Sequence, residues 1–265
     1  MLKNKKLFLF DIDGTIAVGD QLIDGTSELL AYIDNIGGIA MYISNNSTLS
    51  CESYVQKFAA WDLCVPEKYF VTASYATCLY MKIKYKDQKI FVVGTKSFVQ
   101  ELNEFNLSIT EVPDDDVSCV LVGYDSELTY QKLSDACLLL SRDNVNFVAT
   151  SPDLRCPVPF GFVPDCGSIC QMITNASGRK PFIVGKPNPL MAELCLKESG
   201  FSKDETLIVG DRLYTDIAIG INAGIETALV LTGETSQSDL TNTRYLPDFA
   251  FPSIRDLYHE IMEDI

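Results

Sequence analysis

Apolar residues run unbroken through Leu7-Phe8-Leu9-Phe10 and then give way to Asp11-Ile12-Asp13-Gly14-Thr15. A run without polar alternation predicts a strand buried on both faces, as in parallel sheets with helices above and below. The spacing of Leu29, Leu30 and Ile33 predicts a helix over 26–36, closed at Gly37-Gly38 as a C-cap would be. A second unbroken run, Ile39-Ala40-Met41-Tyr42-Ile43, ends in Ser44-Asn45-Asn46-Ser47. The order is therefore β-α-β, the unit of a parallel sheet. A helix over 50–60, a short strand near 69–72 and a helix over 74–84 continue the alternation.

A charged linker opens the next stretch, which repeats the theme with a strand at 89–93, a helix at 95–105, a strand at 117–122, a helix at 129–142 and a strand at 146–149. Few polar residues sit at its strand ends. The earlier style then returns in Phe182-Ile183-Val184-Gly185-Lys186-Pro187, a helix at 189–199, the run Thr206-Leu207-Ile208-Val209-Gly210-Asp211 and a helix at 214–223. These segments are expected to rebuild the first sheet. The fold class is thus α/β, a doubly wound parallel sheet core in two parts, 1–84 and 181–265, with an inserted smaller α/β domain over 85–180. An insertion joined at two close points suits a lid.

Open α/β sheets bind ligands at the carboxyl edge of their strands, where Asp11 and Asp13 end the first run. Residues two apart share a face of a strand, so the two carboxylates converge if strand geometry persists. Such a pair needs a proton or a cation between its members. The same edge rule brings Ser44 and Asn45 from the second strand, Lys186 before Pro187, and Asp211 from another run. Asp216 falls in a first helical turn, where a carboxylate also suits the helix dipole, so capping is its ordinary role. Asp11, Asp211 and backbone oxygen at Asp13 make an incomplete oxygen-only octahedron of the kind magnesium takes, with phosphate as a further ligand. Lys186 adds a second positive charge, and Ser44 with amides near Ile12, Asn45 and Asn46 can donate to phosphoryl oxygens.

Composition narrows the alternatives. The 265 residues are 47% hydrophobic, enough for one large or two modest cores, and the formal charge of −15 repels nucleic acid and anionic lipid. The nearest basic stretch, Lys82-Ile83-Lys84-Tyr85-Lys86, reads as a solvated hinge. No apolar run approaches the ~18 residues of a membrane span, and the run after Lys6 is too short for export, so a cytoplasmic chain is expected. The nine cysteines contain no C-x-x-C pair and read as buried small hydrophobes. The single histidine, His259, lies in a helix near the C-terminus, which sets aside serine–histidine catalysis and histidine-rich zinc sites.

The ordered set Asp11-Ile12-Asp13-Gly14-Thr15, Ser44, Lys186 and Gly210-Asp211-x-x-x-x-Asp216 resembles the four motifs of the haloacid dehalogenase superfamily. Its finer detail is similar to the NagD-like group with a class IIA cap: Ser44-Asn45-Asn46-Ser47-Thr48, Gly185-Lys186-Pro187 and Asp211-Arg212-Leu213-x-Thr215-Asp216-Ile217, with a large α/β cap between the second and third motifs. The resemblance implies a Rossmann-like core and a magnesium-dependent phosphatase. It implies that Asp11 attacks phosphorus, that Asp13 protonates the leaving oxygen and later activates water, and that Lys186 holds nucleophile and phosphate together. Asp11, Asp13 and Asp211 would bind Mg2+, with Asp216 one layer behind, while Ser44, Asn45 and Asn46 would bind the phosphate. An alcohol leaving group needs an acid and a halide does not, so a carboxylate at Asp13 favours phosphoryl chemistry.

The resemblance also places the loop Ser151-Pro152-Asp153-Leu154-Arg155-Cys156-Pro157 over the phosphate pocket, with Asp153 and Arg155 as candidates for substrate choice, alongside an ordinary surface-loop reading. The implied partner is a small phosphorylated metabolite of the sugar phosphate, nucleoside monophosphate or pyridoxal phosphate type, with no nucleic acid and no membrane. Caps of this size mediate pairing in relatives, which leaves a homodimer open. A phosphotransferase or mutase using the same aspartyl phosphate, and a catalytically idle binding protein, are the alternatives.

Overall fold

The computed structural model describes residues 2–46, 50–158 and 160–263. Two compact units emerge, one made of Met1–Ser44, Cys51–Val71 and Lys186–Ile265, the other of Asn45–Ser50 and Thr72–Gly185. Ser47 and Thr48 of the second motif lie outside the described residues. The division falls at 71/72 and 185/186, where the sequence expectation drew it at 84/85 and 180/181.

The first unit is built on a six-stranded sheet in the order Phe249–Phe251, Glu226–Val230, Thr206–Gly210, Leu7–Phe10, Ile39–Ser44, Phe70–Thr72. The pairings from Phe249–Phe251 through Ile39–Ser44 are parallel, with Phe10 opposite Val209 on one side and Tyr42 on the other. All four residues of Leu7–Phe10 are fully buried, which is why that strand carries no polar side chain. Tyr42 stacks on Phe70 with ring centroids 5.2 Å apart and meets Phe58 edge-on at 4.5 Å, so the aromatic residues of two strands and the helix Cys51–Ala59 form one cluster. Strand order reverses between Leu7–Phe10 and Thr206–Gly210, and a crevice opens beyond the carboxyl ends at such a reversal. Asp11 and Asp211 are the next residues after those two strands.

Where a single helix over 214–223 is expected, a π-helical turn Leu213–Ile217 precedes the α-helix Ala218–Ala223. The Ile217 amide donates to Arg212 O at 3.1 Å, while Asp216 Oδ2 accepts from the Arg212 amide at 3.0 Å. The widened turn coincides with the buried placement of Asp216, in keeping with the clustering of π-turns at functional sites.

The second unit has its own five-stranded sheet in the order Phe182–Ile183, Asn146–Ala149, Val117–Val122, Lys89–Val93, Ile109–Thr110, parallel throughout. Its order reverses between Lys89–Val93 and Val117–Val122, but there the Phe98 ring fills the space: a Cβ added at Gly94 or Gly123 would come within 2.6 or 2.9 Å of it. This reversal is closed by the protein's own core.

Phe182–Ile183 corrects one expectation, since it extends this second sheet and does not rebuild the first. The amides of Val184 and Gly185 continue the ladder by donating to Ala149 O and Thr150 O, so the chain leaves the second unit only at Lys186. The helix Ala73–Lys84 also belongs here, held by Tyr75 against Phe105 and Tyr80 stacked on Phe182, with centroids 5.9 and 5.1 Å apart. The charged stretch that looked like a domain boundary is the exposed end of that helix and the turn after it. Cys78, Cys119, Cys166, Cys170 and Cys195 are buried as expected, but Cys64 is exposed and Cys51, Cys137 and Cys156 are half-buried. Among the described residues no helix is long and apolar enough to cross a membrane.

Candidate active site

Three carboxylates from two strand ends converge in the first unit. Asp11, Asp211 and Asp216 each offer an oxygen, and these oxygens lie within 4.8 Å of one another. Lys186 joins them from the segment after the second unit, with its side chain 2% exposed and Nζ 2.5 Å from Asp11 Oδ1, 2.7 Å from Asp216 Oδ1 and 3.1 Å from Ile43 O. Lys186 and Asp11 are 175 residues apart in sequence, so only the tertiary fold brings them into contact.

Burial drives the ionisation of the cluster. Desolvation lifts the Asp11 carboxyl well above the usual carboxylate range; Lys186 opposes this, while Asp216 and Asp211 add to it. Asp211 is likewise raised, to about 6, first by burial and then by Asp216. Burial alone would lower Lys186, but Asp11 and Asp216 outweigh it and keep its ammonium charged. With every group ionised, three carboxylates face one ammonium, leaving two negative charges, which one divalent cation neutralises.

The donor set itself fits such an ion. Asp211 Oδ2 accepts the Glu234 amide at 2.6 Å, whereas Asp211 Oδ1 is buried with no hydrogen-bond partner among the described residues. A buried carboxylate oxygen left this way costs free energy unless a cation meets it. The cradle behind it is made of glycine for a steric reason. Gly14 has φ +93°, and a Cβ there would approach Asp211 Oδ2 to 2.8 Å; a Cβ on Gly233 would approach the same oxygen to 2.0 Å. Hard oxygen donors, with no histidine or thiolate among them, suit magnesium.

The remaining expected residues separate by position. Asp13 is half-buried, bridges to Ala17 through its backbone, and has its carboxylate 3.3 Å from Lys57 Nζ. Its carboxylate is not in the group of three, and both Asp216 oxygens are already engaged, by Lys186 and the Arg212 amide. Ser44 is 4% exposed, with Oγ 3.1 Å from the Tyr54 hydroxyl. Asn45 and Asn46 belong to the second unit, where Asn45 is buried and its Oδ1 lies 2.7 Å from where a Gly185 Cβ would stand. Asp153, buried, and Arg155, exposed with its guanidinium 4.2 Å over the Phe162 ring, are also in the second unit.

Sequence reasoning missed two contributors. One is the loop after Glu226–Val230, where Thr232 Oγ1 donates to Gly14 O at 2.6 Å and Glu234 holds Asp211; the apolar run Ala228-Leu229-Val230-Leu231 ending at Thr232-Gly233 carries the same strand-end signature as the other motifs. The other is the helix Cys51–Ala59, whose Tyr54 and Lys57 stand one turn apart and reach Ser44 and Asp13.

Residues 8–108 match the family model described as haloacid dehalogenase-like hydrolase, and residues 183–257 match one described as HAD-hydrolase-like. An acid sugar phosphatase of Staphylococcus haemolyticus is 31% identical, with 98% of each chain covered. The crystal structure of a 4-nitrophenylphosphatase from Thermotoga maritima superposes with a TM-score of 0.90 at 36% identity, covering 98% of each chain. NagD from E. coli K-12 gives a TM-score of 0.85 at 31% identity, covering 95% of this chain and 98% of that one.

Proposed function

Because the chain belongs to the NagD-like phosphatases among the haloacid dehalogenase-like hydrolases, we propose that it hydrolyses small soluble phosphomonoesters by passing the phosphoryl group to Asp11 and then to water. The observation that carries this reading is the buried clasp of Asp11 by Lys186 beside Asp211 Oδ1, which has no hydrogen-bond partner among the described residues.

In the first step an Asp11 carboxylate oxygen forms a bond to phosphorus as the bond to the leaving oxygen breaks, and Asp13 supplies the proton that the alkoxide needs. In the second, water attacks the same phosphorus, Asp13 takes its proton, and Asp11 leaves as a carboxylate with inorganic phosphate released. Lys186 and Ser44 neutralise or donate to phosphoryl oxygens in both steps, where fixed donors need no reorganisation. Asp11, Asp211 and the Asp13 backbone oxygen would hold magnesium, with Asp216 anchoring Lys186 behind them. When bound, that ion polarises a phosphoryl oxygen and offsets the charge of the carboxylates. A sugar phosphate is the first substrate class to test, given the named relative.

The test is turnover of 4-nitrophenyl phosphate by Asp11→Asn in magnesium. Loss of at least about a thousandfold is expected, on the scale seen when a nucleophile is removed. Turnover at the parent rate would defeat the reading. A panel of phosphorylated metabolites compared by kcat/KM then identifies the substrate class.

A further inference from the structure

Tyr54 is among the largest fully buried side chains, and a phenol taken out of water requires a partner for its proton. Among the described residues that partner is Ser44 Oγ at 3.1 Å. Burial, with the nearby charge of Asp13 and Asp11, pushes the phenol well above its ordinary range, so it stays protonated at working pH. The ring is fixed independently of the hydroxyl: it stacks on Phe70 with centroids 5.8 Å apart, and Tyr54 and Phe58 occupy successive turns of the buried face of Cys51–Ala59.

We infer that Tyr54 is a positioning residue that sets the direction of the Ser44 hydroxyl, so that Ser44 presents its hydrogen to a phosphoryl oxygen. A serine hydroxyl has one hydrogen and can rotate it. If Ser44 donated to the phenol, it would turn a lone pair toward the anionic substrate and leave the phenol proton unpartnered in the core. With the phenol donating to Ser44 Oγ, the Tyr54 proton is satisfied and the Ser44 hydrogen is directed away from Tyr54, where a phosphoryl oxygen can accept it. The chain also polarises the serine O–H, since successive hydrogen bonds strengthen one another.

This inference rests on the proposed role of Ser44 as a phosphoryl donor. The experiment compares the parent, Tyr54→Phe, Ser44→Ala and the double variant for kcat/KM on 4-nitrophenyl phosphate with magnesium, and for competitive inhibition by orthovanadate. Tyr54→Phe keeps the stacked ring and removes one oxygen. It is expected to lower kcat/KM by about 3–10-fold and weaken vanadate by a similar factor, the scale of one neutral hydrogen bond. The double variant should match Ser44→Ala within about twofold, because a positioning residue has nothing to position once the serine hydroxyl is gone. Multiplying losses in the double variant, or an unchanged Tyr54→Phe, would overturn the inference while leaving the phosphatase reading intact. A Tyr54→Phe loss tracked by a fall in Tm, and undiminished in the Ser44→Ala background, would assign Tyr54 to packing alone and also overturn it. Parent-level turnover by Asp11→Asn defeats the phosphatase reading itself, which separates the two failures.

Discussion

Replacing Lys186 by methionine tests the electrostatics of the site most directly. Methionine keeps an unbranched stem of similar length and deletes the ammonium that lies 2.5 Å from Asp11 and 2.7 Å from Asp216. Both carboxylates then stay buried beside Asp211 without their cation. Breaking a buried pair from one side costs about 3–5 kcal/mol, because the surviving charge is desolvated and unpaired. At 2–4 °C per kcal/mol for a domain of this size class, Tm should fall by roughly 6–20 °C. The pH dependence follows from the direction of each shift. Lys186 has a raised value in the folded protein, so its contribution is complete below the ordinary lysine range and persists through neutral pH. The Asp11 and Asp211 carboxyls are raised, so the folded variant binds protons that the unfolded chain has released, and it regains stability as pH falls toward about 4. Urea unfolding in EDTA at pH 7.5 and pH 5.0 measures this. The variant should be weaker than the parent by several kcal/mol at pH 7.5 and by clearly less at pH 5.0. A variant as stable as the parent at pH 7.5, or one whose deficit grows in acid, refutes the reasoning.

Magnesium should stabilise the parent protein more at pH 7.5 than at pH 5.0, because Asp211 ionises with a value near 6 and a protonated carboxyl is a poor ligand; thermal melts with and without saturating Mg2+ at both pH values check it. Gly233→Ala should weaken magnesium activation at least about tenfold, since its Cβ would stand 2.0 Å from Asp211 Oδ2 and must displace that carboxylate; a magnesium titration of phosphatase rate reads the change, and an unchanged midpoint counts against the cradle. Lys57→Met should change stability by less than about 1 kcal/mol, because the Lys57–Asp13 pair is part-exposed, at 21% and 39% of its side chains; a loss of several kcal/mol in urea unfolding would show a larger role.

The amino-acid sequence by itself determined the fold class and the four strand-end signatures. Uninterrupted apolar runs such as Leu7–Phe10 and Thr206–Gly210 have no polar face to turn outward, so they read as doubly covered parallel strands whose carboxyl ends hold the chemistry. The family reading built on Asp11, Ser44, Lys186 and Asp211 agrees with the matched models and relatives. Local pattern was silent wherever a residue's role depends on distant chain. Phe182–Ile183 has the same apolar character as a core strand, yet its amide partners lie on Asn146–Ala149; a short strand joins whichever edge offers a free ladder, and no periodicity encodes that choice. The sequence predicts a helix over 50–60 but no role for Tyr54 or Lys57, because their partners, Ser44 and Asp13, are 10 and 44 residues away. Asp216 illustrates both limits at once: its place in a first turn was legible, but only the tertiary structure turned it inward onto Lys186, where with Asp11 it offsets the cost of burying the ammonium.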